Sequence, residues 1–323
     1  MLFAANHNER TNHMTMQAYD IIGDIHGHDD ELHALLDLLG YRNGARPASH
    51  PDGRKVIFLG DFVDRGPKIR EVLKTVRGMV DSGEALAILG NHEVNAMRFH
   101  TIGSDGEPLR PHTDKNVKQH QATLSQFPDA AAWRGWMDWF AGLPLSLDLG
   151  NLRAVHACWD SRAVAEMKGI GRLEGEALEK YSRKDSPEYE TISQLVNGPE
   201  ALLPEGYVHK TAGGTMRAEF RVKWWRNLDG LTCRQAIFPD DAKIPDLMPR
   251  DVPRTGYPSD APPTFFGHYA RRGGTPAAIR PNLACLDYGT GRGGFLCAYQ
   301  WDGEAEIDAG KFVTTSSGNG SES

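Results

Sequence analysis

The sequence predicts a layered α/β domain. Three observations lead there: short apolar runs alternate with amphipathic stretches between residues 19 and 89, each of those runs empties into a glycine-bearing polar motif, and strand signals return after residue 263. Strand alternating with helix implies crossover units, and crossovers build a layered sheet.

The elements follow in order. Tyr19 to Ile22 fits a buried strand, with Gly23 opening a loop. Asp29 or Asp30 is expected to cap a helix whose stripe is Leu32, Leu35, Leu36 and Leu39 and which Gly40 stops. Val56 to Leu59 reads as a second buried strand. Pro67 suits the first turn of the next helix, with the stripe Ile69, Val72, Leu73, Val76 and Val80. A third strand, Ala85 to Leu89, runs into GNHE.

Between about residues 100 and 143 the pattern changes: Trp133, Trp136, Met137 and Phe140 sit at helical spacing, so this is read as a helical insertion. A hairpin is expected next, from alternating Leu145, Leu147 and Leu149, a Gly150-Asn151 turn, and Leu152 to Val155. Residues 161–263 are helical and irregular with a proline-rich end, read as a second insertion or cap. Strand signals resume at TFFGHY, NLACLDYG and GFLCAYQWDG. The reading is one domain over residues 17–313, a flexible extension over 1–16, and a polar tail over 314–323 read as disordered.

Composition narrows the function classes. The net charge is −7, from 36 basic and 43 acidic residues, which argues against broad nucleic-acid binding but not against a local basic pocket. Cys158, Cys233, Cys285 and Cys297 form no CxxC pair, so they are expected as free thiols in a reducing compartment rather than as a zinc ribbon or redox motif. The first residues lack the apolar run of a signal peptide, and no stretch approaches the roughly 20 apolar residues of a membrane span. The expected location is cytoplasmic.

Five motifs share one arrangement, an apolar strand followed by metal-type ligands. They are GDIHG (Asp24, His26), GDFVDRG (Asp61, Asp64, Arg65), GNHE (Asn91, His92), AVHA (His156) and FFGHY (His268). Groups just past the carboxyl ends of strands in an open α/β sheet converge on one crevice. Carboxylate, imidazole and amide oxygen together suit manganese, iron or zinc, and no thiolate is placed to claim a softer ion. One carboxylate can bridge two cations about 3.5–4 Å apart, and a water between them becomes a hydroxide near neutral pH.

The set GDIHG, GDFVDRG, GNHE, H and GH resembles the calcineurin-like metallophosphoesterase superfamily, and within it the phosphoprotein phosphatase branch of bacterial protein phosphatases and diadenosine tetraphosphatases. The resemblance is close over residues 20–94 and thinner at His156 and over 267–303; it does not extend to the two insertions. It implies a four-layer α/β/β/α sandwich. It also implies two divalent ions, manganese foremost: Asp24, His26 and Asp61 would hold the first, and Asp61 would bridge to a second completed by Asn91, His156 and His268. His92 would be the general acid, Asp64 its orienting carboxylate, and Arg65 the holder of a phosphoryl oxygen.

The chain departs from that branch in two places, with Leu89 where an arginine usually precedes GNHE and HAC at 156–158 in place of HGG. The first removes a phosphate-binding arginine and weakens the case for a phosphoprotein substrate. Arg162, Arg271 or Arg272 is a candidate substitute. The functional expectation is phosphomonoester hydrolysis, extending to a protein serine/threonine phosphatase. The alternatives are a dinucleoside polyphosphate hydrolase and a metal-binding scaffold without catalysis. A phosphorylated small molecule, a nucleotide or a phosphoprotein is the expected partner.

Blander roles are expected elsewhere. His28, His33, His50, His100, His112, His120 and His209 read as solvated surface, Asp29 and Asp30 as helix-start charges, and Trp133, Trp136 and Trp139 as packing. For Asp64 and Arg65 the blander role is a salt bridge with each other. The stretch KWWR, Lys223 to Arg226, suits core packing better than nucleobase stacking.

Overall fold

The computed structural model describes residues 16–42, 47–184, 186–210, 216–271 and 273–315. Its first half alternates β1 (Tyr19–Ile22), α1 (Asp29–Leu38), β2 (Lys55–Phe58), α2 (Ile69–Asp81), β3 (Ala85–Ala87) and α3 (Asn91–His100). Two helices, α4 (Asp114–Gln126) and α5 (Ala130–Ala141), precede the hairpin β4 (Ser146–Asp148) and β5 (Arg153–Val155). Then come α6 (Ser161–Lys168), α7 (Gly175–Lys180) and α8 (Pro187–Val196). Short strands β6 (Glu200–Leu202), β7 (His209–Lys210), β8 (Met216–Arg217) and β9 (Glu219–Arg221) lead to α9 (Cys233–Ala236). The chain ends with β10 (Thr264–Phe266), β11 (Leu283–Cys285), β12 (Asp287–Tyr288), β13 (Phe295–Trp301) and β14 (Phe312–Thr314).

Two sheets form the centre. One has the order β12-β13-β1-β2-β3, with β14 on β13, and the other β11-β10-β5-β4. The neighbours β1, β2 and β3 run parallel, as do β5, β10 and β11, so the loops that follow them open at one end of each sheet.

Alternation along each strand decides the layers. Ile21, Ile57, Leu59, Ile88 and Tyr299 of the first sheet face Ala154, Phe265 and Ala284 of the second in a core between the sheets. Their neighbours Ile22, Val56 and Phe58 turn outward to Leu32, Leu35 and Leu36 of α1 and Val72, Leu73 and Val76 of α2, while Val155, Phe266 and Cys285 pack toward Ile192 and Leu195 of α8. Helix, sheet, sheet and helix follow one another, giving the α/β/β/α sandwich. Full burial of Ile21, Ile57 and Phe265, at roughly 1.5–3 kcal/mol each, fixes the register, because a slip of one residue would turn them to the opposite face.

The later insertion has a small core of its own in Ala201, Leu203, Phe220, Val222, Cys233, Ile237 and Ile244. Trp224 and Trp225 are buried against Phe266 and Tyr269, so the tryptophans of KWWR pack into the core. All four cysteines are free and buried. Among the described residues no helix is long and apolar enough to cross a membrane.

Several details differ from the sequence reading. The cap of α1 is His28, because the Asp29 carboxylate turns instead to His33 and Thr75. Pro67 precedes α2 without entering it: Lys68 donates its N–H to Gly27 O, and Ile69 donates to the Gln126 side chain before helical bonding begins. On that helix Met79, not Val80, completes the buried stripe. β3 stops at Ala87, and Leu89 donates to Pro144 O, just before the second sheet's hairpin. Thr314 belongs to β14 and Thr315 is buried against Leu296, so the tail expected from residue 314 is ordered through 315. The rest of that tail, and residues 1–15 of the expected extension, lie outside the described residues.

Candidate metal centre

The loops after β1, β2, β3, β5 and β10 meet at one place. Asp24, His26, Asp61, Asn91 and His156 are all buried, and His268 is half-buried beside them. His26, Asp61 and His268 have φ of 49°, 55° and 60°, left-handed conformations that cost non-glycine residues energy and are held by the surrounding contacts. Two glycines permit the approach. A Cβ at Gly90 would lie 2.2 Å from Asp61 Oδ1, and one at Gly267 would lie 2.0 Å from Asp24 Oδ1.

Asp61 is common to two donor sets. His26, Asp61 and His92 offer atoms within 4.8 Å of one another, as do Asp61, His156 and His268. Asn91 Oδ1 lies 3.1 Å from His156 Nε2 and 2.9 Å from His268 Nδ1. Asp24 accepts from the His268 backbone N–H at 3.1 Å. Behind the ligand atoms, His26 Nδ1 bonds Val63 O at 3.0 Å and His156 Nδ1 bonds Leu59 O at 2.7 Å. These carbonyls require N–H at Nδ1, so the opposite nitrogen carries the lone pair in the neutral ring.

Charge is crowded here. Burial, then Asp287, pushes the Asp24 carboxyl well above the usual range. Burial works the same way on Asp61, but His156, His92 and His26 outweigh it and hold that carboxyl low. Burial opposes the His156 imidazolium, yet Asp61 and Asp24 raise its pKa to about 10. Burial first drives His26 and His268 down against the pull of Asp61, aided by Arg65 and His92 at the former and by Arg221 and His156 at the latter.

The donors fit divalent cations. Among the described residues the Nε2 atoms of His26 and His268 are buried with no hydrogen-bond partner, a costly arrangement unless something else takes the lone pair. Carboxylate, imidazole and amide oxygen, with buried cysteines elsewhere, suit a hard or borderline ion.

A dyad adjoins this centre. His92 Nδ1 lies 2.5 Å from Asp64 Oδ2, and His92 Nε2 lies 3.2 Å from Arg65 Nη2 and 4.0 Å from Asp61 Oδ2. Asp64 therefore pairs with histidine rather than with Arg65, which is exposed. Burial would raise the Asp64 pKa, but hydrogen bonds from His120 and His92 hold it well below the usual carboxylate range.

Sequence reasoning missed four residues. Glu93 accepts from the backbone N–H groups of Asp61, Phe62, Val63 and Gly90 at 2.7–3.1 Å, binding the second and third motifs together. It lies inside GNHE, one position past His92, and could have been found there. Asp287 is buried beside Asp24 at the end of NLACLD, a weaker signal. Arg221 lies against His268 O at 3.4 Å and over the Tyr269 ring, and nothing in its sequence setting marks it. His120, read as solvated surface, is buried with Nδ1 2.7 Å from Asp64 Oδ1. Of the arginines considered as substitutes, Arg271 turns to Ala277 O and Tyr288, Arg162 is exposed on α6, and Arg272 is outside the described residues.

A paired-sheet sandwich with carboxylate, imidazole and amide donors at its strand ends defines a class of two-metal proteins. The chain belongs to the calcineurin-like phosphoesterase family, which it matches over residues 19–232. That family uses a dinuclear divalent metal centre. The chain is 49% identical over 85 residues to the asymmetrical bis(5'-nucleosyl)-tetraphosphatase PrpE of Halalkalibacterium halodurans, covering 26% of this chain and 34% of that protein. Against PrpE of Bacillus velezensis it is 44% identical over 170 residues, 52% of this chain and 61% of the relative. The chain thus spans between a third and three fifths of the length of these curated relatives. A solved protein serine/threonine phosphatase from Saccharomyces cerevisiae aligns over 94% of this chain and 80% of its own, at 15% identity and a TM-score of 0.49.

Proposed function

We propose that the protein hydrolyses phosphorus–oxygen bonds with two divalent cations, held by Asp24, His26 and Asp61 on one side and Asp61, Asn91, His156 and His268 on the other. The observation that carries this is Asp61, buried and shared between two histidine-containing donor sets. When bound, such a pair of cations supplies an activated water and neutralises phosphoryl oxygens. Manganese is the ion proposed for the test, with iron or zinc as further candidates.

The side chains would divide the remaining work. Asp64 holds His92 with N–H at Nδ1, which leaves Nε2 to carry the proton for the leaving oxygen. In the structure Arg65 Nη2 faces that Nε2, which describes a resting pair with the nitrogen acting as acceptor. A phosphoryl oxygen would draw the Arg65 fork to itself and leave Nε2 free to be protonated. Arg221, beside His268, would offer a second cation to the substrate.

Among substrates we favour a dinucleoside polyphosphate. Two features support it: both curated relatives above are named as tetraphosphatases of that kind, and Leu89, fully buried, replaces the phosphate-binding arginine of the protein phosphatases. Phosphomonoesters, including phosphoproteins, are the second reading, favoured by the intact His92–Asp64–Arg65 group. The test is turnover of diadenosine tetraphosphate, p-nitrophenyl phosphate and a phosphoserine peptide in manganese. The expected order puts the dinucleotide at least about tenfold ahead in kcat/KM, roughly 1.4 kcal/mol of transition-state preference. A faster phosphopeptide would reverse the substrate reading, and no turnover of any of the three would remove the activity.

A further inference from the structure

The Asp64 carboxylate has two oxygens and two sets of partners. Oδ2 faces the dyad histidine, while Oδ1 accepts from His120 Nδ1 at 2.7 Å and from Thr123 Oγ1 at 2.6 Å. Both outer partners come from α4, in the segment between residues 100 and 143 that the sequence marks as a helical insertion. Resting on the functional reading above, we propose that His120, with Thr123, is a positioning residue for the reaction: it locks the Asp64 carboxylate so that His92 keeps its proton at Nδ1 and aims Nε2 at the leaving oxygen.

Three features support the assignment. Asp64 and Arg65 sit at φ of 67° and 69°, left-handed conformations that two consecutive non-glycine residues do not hold unaided. Helix α4 braces this turn along its length: the Asp64 N–H donates to Thr123 Oγ1 at 3.0 Å, the Gln126 amide donates to Gly66 O at 3.1 Å, and Gln126 Oε1 accepts from the Ile69 N–H at 2.7 Å.

The tautomer of His120 is also set. An ionised Asp64 has no proton to give, so His120 must carry N–H at Nδ1. Its Nε2 is 3.1 Å from His100 Nε2, and a neutral His120 accepts there from a His100 N–H. The chain His100 to His120 to Asp64 therefore runs in one donor direction. The buried faces of His120 are filled by Phe99 and Trp133, which leave the ring little freedom to turn away.

A packing role and a bonding role predict opposite outcomes. Phenylalanine keeps the ring and loses the donor, whereas asparagine loses the ring and keeps an N–H close to the place of Nδ1. The full chain with manganese should be assayed on the fastest substrate of the panel above. His120→Phe is expected to lower kcat by about 10–100-fold with KM within about twofold and the metal content unchanged, the usual effect of losing a hydrogen-bond partner behind an active-site group. His120→Asn is expected to recover most of that loss. Thr123→Val, which removes the second donor without removing the ring, is expected to show the same split and decides the matter should His120→Phe fail to fold. Full activity in His120→Phe with loss in His120→Asn, or a rise in KM at unchanged kcat, would overturn the positioning role while leaving the phosphoesterase reading intact. An unaltered chain without turnover would remove both.

Discussion

Asp61 stands between two histidines, its Oδ2 3.5 Å from His26 Nε2 and its Oδ1 3.4 Å from His156 Nε2. A carboxylate placed this way can serve two cations at once. Asp61→Asn keeps the shape and halves the ligating charge, so the bound metal should fall from about two ions per chain to one or fewer. Elemental analysis of protein equilibrated with manganese reads this directly. Two ions retained in the variant would remove the bridging role.

His92 predicts the complementary phenotype. Its side chain is committed to Asp64 and Arg65, and its nearest approach to an Asp61 oxygen is 4.0 Å. His92→Asn should keep both ions and lower kcat by about 10²–10⁴, the usual worth of a general acid. The check is steady-state kinetics beside metal analysis on one preparation. Unchanged turnover would reassign the acid, and lost metal would instead make His92 a ligand, as its place in the first donor set allows.

How much of this was legible in the sequence follows from how local each signal is. Tyr19–Ile22 and the proposed ligands Asp24 and His26 lie within eight consecutive residues, so one motif reported both the strand and the candidate site it feeds. The hairpin at 146–155 was equally local, because Leu147 pairs with Ala154 through a turn that Gly150 and Asn151 announce. His120 was misread because its partner Asp64 is 56 positions away and its helix has no strand-end motif beside it. Arg221 approaches His268 across 47 positions, from a short strand inside an insertion. β14 was not read as a strand: Thr314 falls in the stretch that reads as polar tail, and Phe312 and Val313 alone make too short an apolar run to announce the pairing with β13.

Gly90 makes a prediction about space rather than charge. Its φ of −93° is open to any residue, so the obstacle to a side chain is Asp61, whose Oδ1 lies 2.2 Å and whose backbone N lies 2.5 Å from where a Cβ would sit. Gly90→Ala should displace Asp61 and weaken metal binding by at least about tenfold, or roughly 1.4 kcal/mol. Calorimetric titration with manganese reads the affinity and circular dichroism the fold. Native affinity in a folded Gly90→Ala chain would mean that the loop yields without cost.

His100 carries the pH dependence that is separable from the metal ligands. Burial first, then His120 and His112, pushes its pKa down to about 4 from 6.5, while Asp64 pulls weakly the other way. Phe99 and Trp133 supply the apolar faces. The unfolded chain takes up this proton near pH 6.5 and the folded chain only near 4, so acid favours the unfolded state between those values. Stability should therefore fall as pH drops from 6.5 towards 4 and level off below. Much of the ring surface is exposed to water, which screens the effect and keeps it to about 1 kcal/mol or less. His100→Gln, which cannot titrate and can still donate toward His120, should flatten that segment of the curve. Urea unfolding of both chains at half-unit pH steps measures the difference, and parallel curves would place the titration elsewhere.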